Sequence, residues 1–530
     1  MGFSAIVRDR GEHRLSILRN TTVVSFMTLL SRVSGMLRDM MYSQVFGAGP
    51  LMDAFFIAFK IPNFLRRLSG EGAFSQAFVP VVSEYRIRRS QSEVRELVDG
   101  VAGTFGVALF VITLIGVVAA PVIIFMFAPG FRSSGGRFDL AVEMLRWTFP
   151  YLFFISLVSL ASGVLNSYGR FGSAAFTPVL LNLVMIVTAY LIAPGTPNPG
   201  IVLATGVFVA GVIQLAFLWP FMVRLGVAGM PRWNWAHEGV RRVARLMLPG
   251  IFGSSVAQVS LLLDSLVASF LLTGSISWLY YADRLVEFPM GMFTIALATV
   301  VLPALSAHHA SQSPERFSAT LDWSVRLVFL FVTPAAVGLL VLAGPLIATI
   351  YGYGRFAARD VEMATYALMA YSLGLIGFSM VKVLAPGYFA RQDTRTPVRV
   401  GMIAFGVNMV CNVGIVLPVA KAGFPAPHAL LALSTGLSAF VNSALLFRGL
   451  KHAGVYRAAA GWSRFAGQVS LANLTMAVLL WWLAGDIGGW LEVHAGHRAL
   501  RLMGCVLGGA AIYFATLWLC GLRLQHLRRV

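Results

Sequence analysis

Long apolar runs separated by short polar connections fill the chain from residue 22 almost to its end. An α-helix needs about 20 apolar residues to cross the roughly 30 Å hydrocarbon core of a bilayer. The runs are long and continuous, unlike the short alternating strands of a membrane β-barrel. The pattern predicts an all-α protein with about fourteen spans, near 22–48, 51–84, 98–127, 139–168, 174–193, 200–224, 243–272, 276–307, 322–350, 361–390, 397–419, 426–449, 462–484 and 499–522.

The second predicted span, 51–84, is longer than a crossing requires and contains Pro62, Gly70 and Gly72. Non-helical backbone at membrane depth is tolerated where it lines a cavity or lies inside the protein. We therefore expect a bent or interrupted helix beside a cavity, with Pro62 and the two glycines as the points of flexure.

Short motifs recur in the same order at offsets of 218 to 224 residues. They are GRF at Gly136–Phe138 and Gly354–Phe356, VEM at Val142–Met144 and Val361–Met363, TPV at Thr177–Val179 and Thr396–Val398, VP at Val79–Pro80 against LP at Leu302–Pro303, and AP at Ala120–Pro121 against GP at Gly344–Pro345. Six spans per repeat give both copies the same orientation in the membrane. The sequence predicts two six-helix lobes around a central cavity, followed by two further helices.

The predicted division of the chain follows from this repeat. It comprises a cytoplasmic leader (1–20), an N-lobe of spans 1–6 (21–224), a surface-lying linker (225–242), a C-lobe of spans 7–12 (243–450), and two extra helices with a cytoplasmic tail (451–530).

Composition supports a polytopic membrane protein. Hydrophobic residues make up 58% of the chain and charged residues 12%, against about 25% charged in soluble domains. The sequence contains no Walker loop, no dinucleotide fingerprint after a strand and no HExxH motif. It therefore predicts neither an ATP-driven pump nor an enzyme, and any active transport would draw on an ion gradient or the membrane potential.

The net charge of +19 is distributed as the positive-inside rule requires. Connections on one predicted side carry 25 Lys and Arg residues, and those on the other side carry 8. Both termini are predicted to be cytoplasmic. No basic run interleaves with aromatic residues on a soluble domain, so nucleic acid is not an expected partner.

Charged residues are concentrated in the first two spans. A charge at membrane depth costs a few kcal/mol and usually faces a polar cavity. The predicted N-lobe set is Arg32, Arg38, Asp39, Asp53, Lys60, Arg66, Arg67 and Glu71, and the C-lobe set is Asp283, Arg284 and Glu287. Arginine binds phosphate oxygens bidentately and stays protonated, so together the two sets predict a cationic cavity between the lobes.

Two alternatives remain open at this point. Arg38–Asp39 and Asp283–Arg284–Glu287 are equally typical of internal ion pairs that fix helix packing. Lys60 has a stem long enough to extend its ammonium group to the membrane interface.

A second polar set lies in the predicted C-lobe: Asp264, Asn408, Asn412, Ser434 and Ser438. These oxygen ligands predict a site for Na⁺ or a proton relay. The alternative is ordinary interhelical hydrogen bonding, worth about 0.6–2 kcal/mol per contact in membranes.

Four stretches carry a family resemblance: SRVSGMLRD, FGAGPLMDAFFIAFKIPNFLRRLSGEGAFSQAFVP, SWLYYADRLVEFP and VKVLAPGYFARQDTRTPV. They resemble the bacterial lipid II flippases of the MurJ (MviN) family, within the superfamily that includes the MATE exporters. The similarity extends over essentially the whole chain.

This resemblance implies a function for the cavity. The family moves the undecaprenyl-pyrophosphate-linked peptidoglycan precursor from the cytoplasmic to the periplasmic leaflet of the bacterial inner membrane by alternating access. The last two of its fourteen helices form a lipid-facing groove. The implied substrate-binding residues are Ser31, Arg32, Arg38, Asp53, Arg66 and Arg284. Some members bind Na⁺, but Asn412 stands where they carry an acid. The expected form is a monomer that works with cell-wall synthesis proteins.

Two other functions compete with this interpretation. An ion-coupled exporter of cationic drugs would need an acidic or aromatic cavity, which the arginines argue against. A non-transporting scaffold or membrane enzyme of the cell-wall pathway is the third.

Overall fold

The computed structural model describes residues 3–67, 74–133 and 135–523, with side chains from residue 22 onward except at 248–261. The described residues form helices and no strands. The first ten helices are α1 (Phe3–Phe46), α2 (Pro50–Arg66), α3 (Ser75–Arg88), α4 (Gln91–Val118), α5 (Ala120–Phe127), α6 (Arg137–Thr148), α7 (Tyr151–Ser167), α8 (Phe171–Val187), α9 (Pro199–Arg224) and α10 (Glu238–Ser269).

Eleven more helices complete the chain. They are α11 (Ser275–Pro289), α12 (Ala296–Ala310), α13 (Pro314–Val341), α14 (Ala343–Ile350), α15 (Ala358–Phe389), α16 (Arg395–Cys411), α17 (Leu417–Lys421), α18 (Pro427–His452), α19 (Trp462–Ala484), α20 (Gly488–Leu491) and α21 (Ala495–Leu519). Three π-helical segments, Thr188–Ile192, Met290–Ile295 and Asn412–Val416, continue α8, α11 and α16.

Most predicted spans are helices able to cross a bilayer. Eleven helical stretches in the described part are long and apolar enough to do so. The other three predicted spans, 22–48, 51–84 and 243–272, coincide with α1, with α2 and α3, and with α10. The prediction of an all-α, multi-pass membrane protein is confirmed.

The chain divides into two compact units, one comprising residues up to Phe46 with Pro50–Leu266, and the other Gly47–Gly49 with Val267–Val530. The division falls inside α10, not in the predicted linker 225–242. This linker belongs to the first unit because Val227 and Val240 are fully buried there. The predicted lobe limits, 21–224 and 243–450, stay predictions.

The same helix packing occurs in both units. In the first, α2 packs on α6, α4 on α7, and both α7 and α8 on α9. In the second, α11 and α13 pack on α15, and both α15 and α16 pack on α18. The single helix α15 takes the place of the α6–α7 pair. The repeat predicted from short motifs is therefore confirmed in three dimensions.

Departures from α-helix also repeat. The π-helical segments Thr188–Ile192 and Asn412–Val416 begin 224 residues apart. The α4–α5 and α13–α14 junctions precede Pro121 and Pro345, which lack the N–H that would continue the helix bonding. Positions of broken helix were therefore inherited by both repeats.

The interruption of the second span differs in place from the prediction. Helix α2 continues through Pro62 to Arg66, and α3 begins at Ser75. The break thus follows Arg66, and Pro62 does not end the helix. Gly70 and Gly72 lie outside the described residues.

The first helix differs from the predicted leader at 1–20, because α1 is continuous from Phe3 to Phe46, 44 residues in all. No proline occurs in this stretch to interrupt it.

The two C-terminal helices α19 and α21 pack on each other and on α13. Polar contacts fix both to α13: Asn473 Nδ2 donates to Thr333 Oγ1 at 3.1 Å, and the Tyr513 hydroxyl donates to the Leu330 carbonyl at 2.7 Å. At the start of α19, Trp462 Nε1 donates to Asp322 Oδ1 at 2.7 Å. The C-terminal pair is therefore an integral part of the second unit.

Arg498, near the start of α21, is buried and donates to four backbone carbonyls: Ala348 at 3.1 Å, Gly352 at 3.0 Å, Leu491 at 2.6 Å and Val493 at 2.9 Å. We expect Arg498→Met to destabilise this corner by about 2–3 kcal/mol, since it leaves these carbonyls without their charged donor. Hydrogen exchange of the α20–α21 backbone in detergent would accelerate accordingly.

Arg501→Met is the matched control, because Arg501 is exposed and donates to two carbonyls, Leu483 and Ala484. An equal acceleration in both variants would contradict the special role of Arg498.

Candidate functional site

Arg38 and Asp39, adjacent on α1, form a buried ion pair. Arg38 Nε and Nη2 donate to Asp39 Oδ1 at 3.0 and 2.7 Å, and both side chains are almost fully buried. Arg38 Nη1 donates to Asn182 Oδ1 of α8 at 3.0 Å. All three guanidinium nitrogens of Arg38 are therefore engaged in this structure, as the packing alternative predicts.

Asn182 is the centre of this cluster. Its Nδ2 donates to the Ser31 carbonyl and to Ser34 Oγ, each at 3.0 Å. It thereby joins α1 to α8 on the face that carries Ser31 and Arg38. A single neutral amide in an apolar run gave no sequence signal for this role.

Asp53 lies in the first turn of α2, where the helix dipole favours a carboxylate. It is fully buried and pairs with Arg137 Nη1 of α6 at 3.4 Å. The Arg137 guanidinium also lies 4.8 Å from the centre of the Phe131 ring. Sequence reasoning counted Arg137 among loop residues and missed this pair.

Lys60 is half-buried on α2, and its ammonium donates to Ser265 Oγ of α10 at 2.5 Å. This contact lies within the first unit. Lys60 therefore ties α2 to α10, so its ammonium is not extended to the membrane interface in this structure.

The remaining N-lobe arginines differ in their partners. Arg66 is half-buried, and its Nε donates to Asn63 Oδ1 at 3.3 Å. Arg67 is exposed. Arg32 is half-buried and forms no ion pair or hydrogen bond with the described part of the chain. Glu71 lies outside the described residues. A half-buried guanidinium on an apolar helix, such as Arg32, is suited to receive an anion.

The second unit presents Arg284 on α11. Its Nη1 donates to Glu287 Oε2 at 2.8 Å and its Nη2 to the Tyr280 hydroxyl at 3.1 Å. Both members of the Arg284–Glu287 pair are partly exposed, and Asp283 is exposed beside them. Unlike Arg38, Arg284 keeps an accessible face on which a ligand can bind.

The second polar set is brought together only in part. Ser434 Oγ donates to Asn408 Oδ1 at 2.7 Å, and Ser438 Oγ donates to the Ala404 carbonyl at 2.8 Å, so α16 and α18 are joined. Asn412 is buried at the start of its π-helical segment. Asp264 belongs to the first unit. The hydroxyls are thus used for interhelical bonding, and a Na⁺ site stays a prediction.

The predicted phosphate ligands are divided between the units. Ser31, Arg32, Arg38, Asp53 and Arg66 belong to the first, and Arg284 to the second. Within the first unit, Ser31 and Arg38 share one hydrogen-bonded cluster, whereas Asp53 belongs to a separate pair. A cavity lined jointly by all of these residues stays a prediction.

Two helical units with the same packing, each bearing charged side chains on apolar helices, define a two-repeat membrane transporter. The chain is similar in fold to the inward-facing conformation of a MATE multidrug-resistance transporter of the MOP superfamily. The TM-score is 0.63 at 14% identity, over 82% of this chain and 98% of that one. At such identity the likeness concerns the fold alone.

More similar proteins identify the family. The model of "Lipid II flippase MurJ" matches residues 42–492. A probable lipid II flippase MurJ of Vibrio cholerae is 45% identical over 97% of this chain and 98% of its own length. A solved lipid II flippase MurJ in an inward closed conformation has a TM-score of 0.76 and 25% identity, over 93% of this chain and 98% of that one. The chain belongs to the lipid II flippase MurJ family.

Proposed function

We propose that this protein carries lipid II, the undecaprenyl-pyrophosphate-linked peptidoglycan precursor, from the cytoplasmic to the periplasmic leaflet of the bacterial inner membrane. The single observation that carries the proposal is membership of the MurJ family over nearly the whole chain. In this role the protein is a transporter for cell-wall synthesis and not an enzyme. Its alternative, export of cationic drugs, has support from fold likeness alone.

The chemistry of the cargo suits the arginines. A pyrophosphate presents several anionic oxygens, and each guanidinium can bind two of them in a fork geometry. Arg32 has no partner in the described part of the chain, and Arg284 keeps an exposed face. We assign the pyrophosphate to Arg32, Arg66 and Arg284, while Arg38 and Ser31 shape the wall beside them through Asn182.

The transport cycle follows from charge neutralisation. With the site open to the cytoplasm, like charges on the arginines oppose closure. The bound pyrophosphate offsets that repulsion, so the two units can close around it and reopen toward the periplasm. The polyprenyl tail stays in lipid along the groove predicted for α19 and α21. Membrane potential, Na⁺ or protons would reset the cycle.

Orientation and assembly are part of the same proposal. Both termini are cytoplasmic, since the Lys and Arg residues of the connections divide 25 to 8. The protein works as a monomer, because each chain contains both repeats.

The test is translocation by purified protein in sealed vesicles without ATP. Fluorescent lipid II on the inner leaflet should become accessible to an external reagent faster than in protein-free vesicles. The same vesicles should not accumulate a cationic dye. Since the Ser434 and Ser438 hydroxyls are already bonded within the protein, we expect less than about a twofold change when K⁺ replaces Na⁺.

Two results would contradict the proposal. One is lipid II movement no faster than in protein-free vesicles by protein that melts cooperatively. The other is dye transport that exceeds lipid II transport, which would favour the exporter.

A further inference from the structure

Three large apolar side chains stand exposed on the connecting loop, residues 225–237, which joins α9 to α10. Met230 is 78% exposed, Trp233 62% and Trp235 49%. The loop lies wholly within the first unit and contains none of the proposed substrate ligands. Exposed apolar groups on a connection outside the spans indicate a surface that contacts something other than water.

The connecting loop is held rigidly on α4. The Arg232 N–H donates to the Asp99 carbonyl at 3.1 Å, and the Asn234 N–H donates to Thr104 Oγ1 at 3.2 Å. A Cβ on Gly103 would lie 2.3 Å from the Arg232 carbonyl carbon, so glycine is required for this close approach. The loop backbone is therefore fixed between Asp99 and Thr104.

Helix α4 also sets the depth of the loop in the membrane. Its exposed side chains are polar at Arg95 and Glu96, and apolar from Val107 to Val118. At 1.5 Å per residue, Thr104 lies about 4.5 Å and Asp99 about 12 Å outside Val107. The polar interface of a bilayer is roughly 5–8 Å thick on each side. The connecting loop therefore lies at headgroup level.

The charges around the exposed tryptophans are mainly positive. Arg232, Arg241 and Arg245 are exposed, against the single acid Glu238. Arg242 is neutralised by Glu84, at 2.9 Å. Tryptophan favours the membrane interface, and each arginine near an anionic leaflet contributes about 1 kcal/mol. Apolar depth and charge thus both match a leaflet that contains anionic lipid.

We propose that the connecting loop is a membrane-interface anchor. It inserts Met230, Trp233 and Trp235 between the headgroups and binds the phosphates of anionic phospholipids through Arg232 and Arg245. The occupant is the bilayer itself, because the loop is fixed at headgroup depth by α4. Anchored there, the loop holds the end of α9 and the start of α10 at constant depth.

The test places a bimane label on Ala236→Cys, an exposed position, after Cys411→Ser, Cys505→Ala and Cys520→Ser. The labelled full chain is reconstituted in phosphatidylcholine vesicles containing phosphatidylglycerol. A nitroxide on lipid headgroups should quench the label more than a mid-chain nitroxide, and aqueous iodide should quench it least. Headgroup-labelled phosphatidylglycerol should quench it more than equally labelled phosphatidylcholine.

The double variant R232Q/R245Q tests the charge contribution. The preference for phosphatidylglycerol should fall by about fivefold for each arginine removed, with quenching depth unchanged. R359Q is the matched control, because Arg359 is exposed at the start of α15 in the other unit and should leave the preference intact. The phosphatidylglycerol that co-purifies with unlabelled protein provides a second readout that keeps the native cysteines.

Either of two results overturns the proposal. Strong iodide quenching without lipid quenching would place the loop in water, where a protein partner could cover it. Headgroup-level quenching with no preference for phosphatidylglycerol, in wild type and double variant alike, would remove the anionic-lipid site.

Discussion

Replacing Arg32 with alanine is expected to slow lipid II translocation by about 10- to 150-fold, the loss of one charge-assisted interaction worth ~1.5–3 kcal/mol. Arg66→Ala and Arg284→Ala should have effects of the same size. Arg32 is the sharpest case because it has no partner in the described part of the chain, so its removal leaves no other group unsatisfied. The measurement is the initial rate in lipid II vesicles, with insertion and melting temperature recorded for each variant.

Two controls separate binding from general damage. Arg32→Lys keeps the charge but loses the planar fork, so an intermediate rate is expected. Arg316→Ala removes an exposed arginine at the start of α13, outside the predicted site, and should transport as wild type does. Full activity in all three alanine variants would refute the role of these arginines in binding pyrophosphate.

Asp53→Ala is expected to destabilise the protein by about 3–5 kcal/mol, because it leaves the buried Arg137 without its carboxylate. Arg137→Met should cost a similar amount, since Asp53 is then buried without a cation. The double variant D53A/R137M removes both charges and should recover most of the loss. The measurement is the midpoint of thermal unfolding in detergent for all four members of the cycle.

The same cycle distinguishes packing from substrate binding at Asp53. If the carboxylate acts only through Arg137, the double variant should transport lipid II at near the wild-type rate. If Asp53 also contacts the substrate, transport stays low although stability returns. Additive destabilisation in the double variant would contradict the buried pair itself.

The elements that sequence predicted well are those with a periodic or repeated signal. Length and apolar content placed the spans, and motifs about 220 residues apart predicted packing that recurs in both units. Arg38 and Asp39 could be paired because they are adjacent. Their depth in an apolar helix made a local partner necessary.

Contacts between distant residues were not predictable in the same way. Arg137 is 84 residues from Asp53, and Asn182 is 144 residues from Arg38. Arg137 stands beside a Gly-rich connection and was counted with the loops. Asn182 is neutral and isolated in its helix. Only tertiary packing gives either residue its partner.

The paired π-helical segments bear on the origin of the chain. A π-helical turn arises from one extra residue within an α-helix. Thr188–Ile192 and Asn412–Val416 place such a residue at equivalent points of the two repeats. The simplest history is a single insertion in an ancestral six-helix protein, followed by gene duplication and fusion. The asymmetry between the repeats, in which Arg32 and Asn182 serve one copy and Asn408 and Ser434 the other, then arose after duplication.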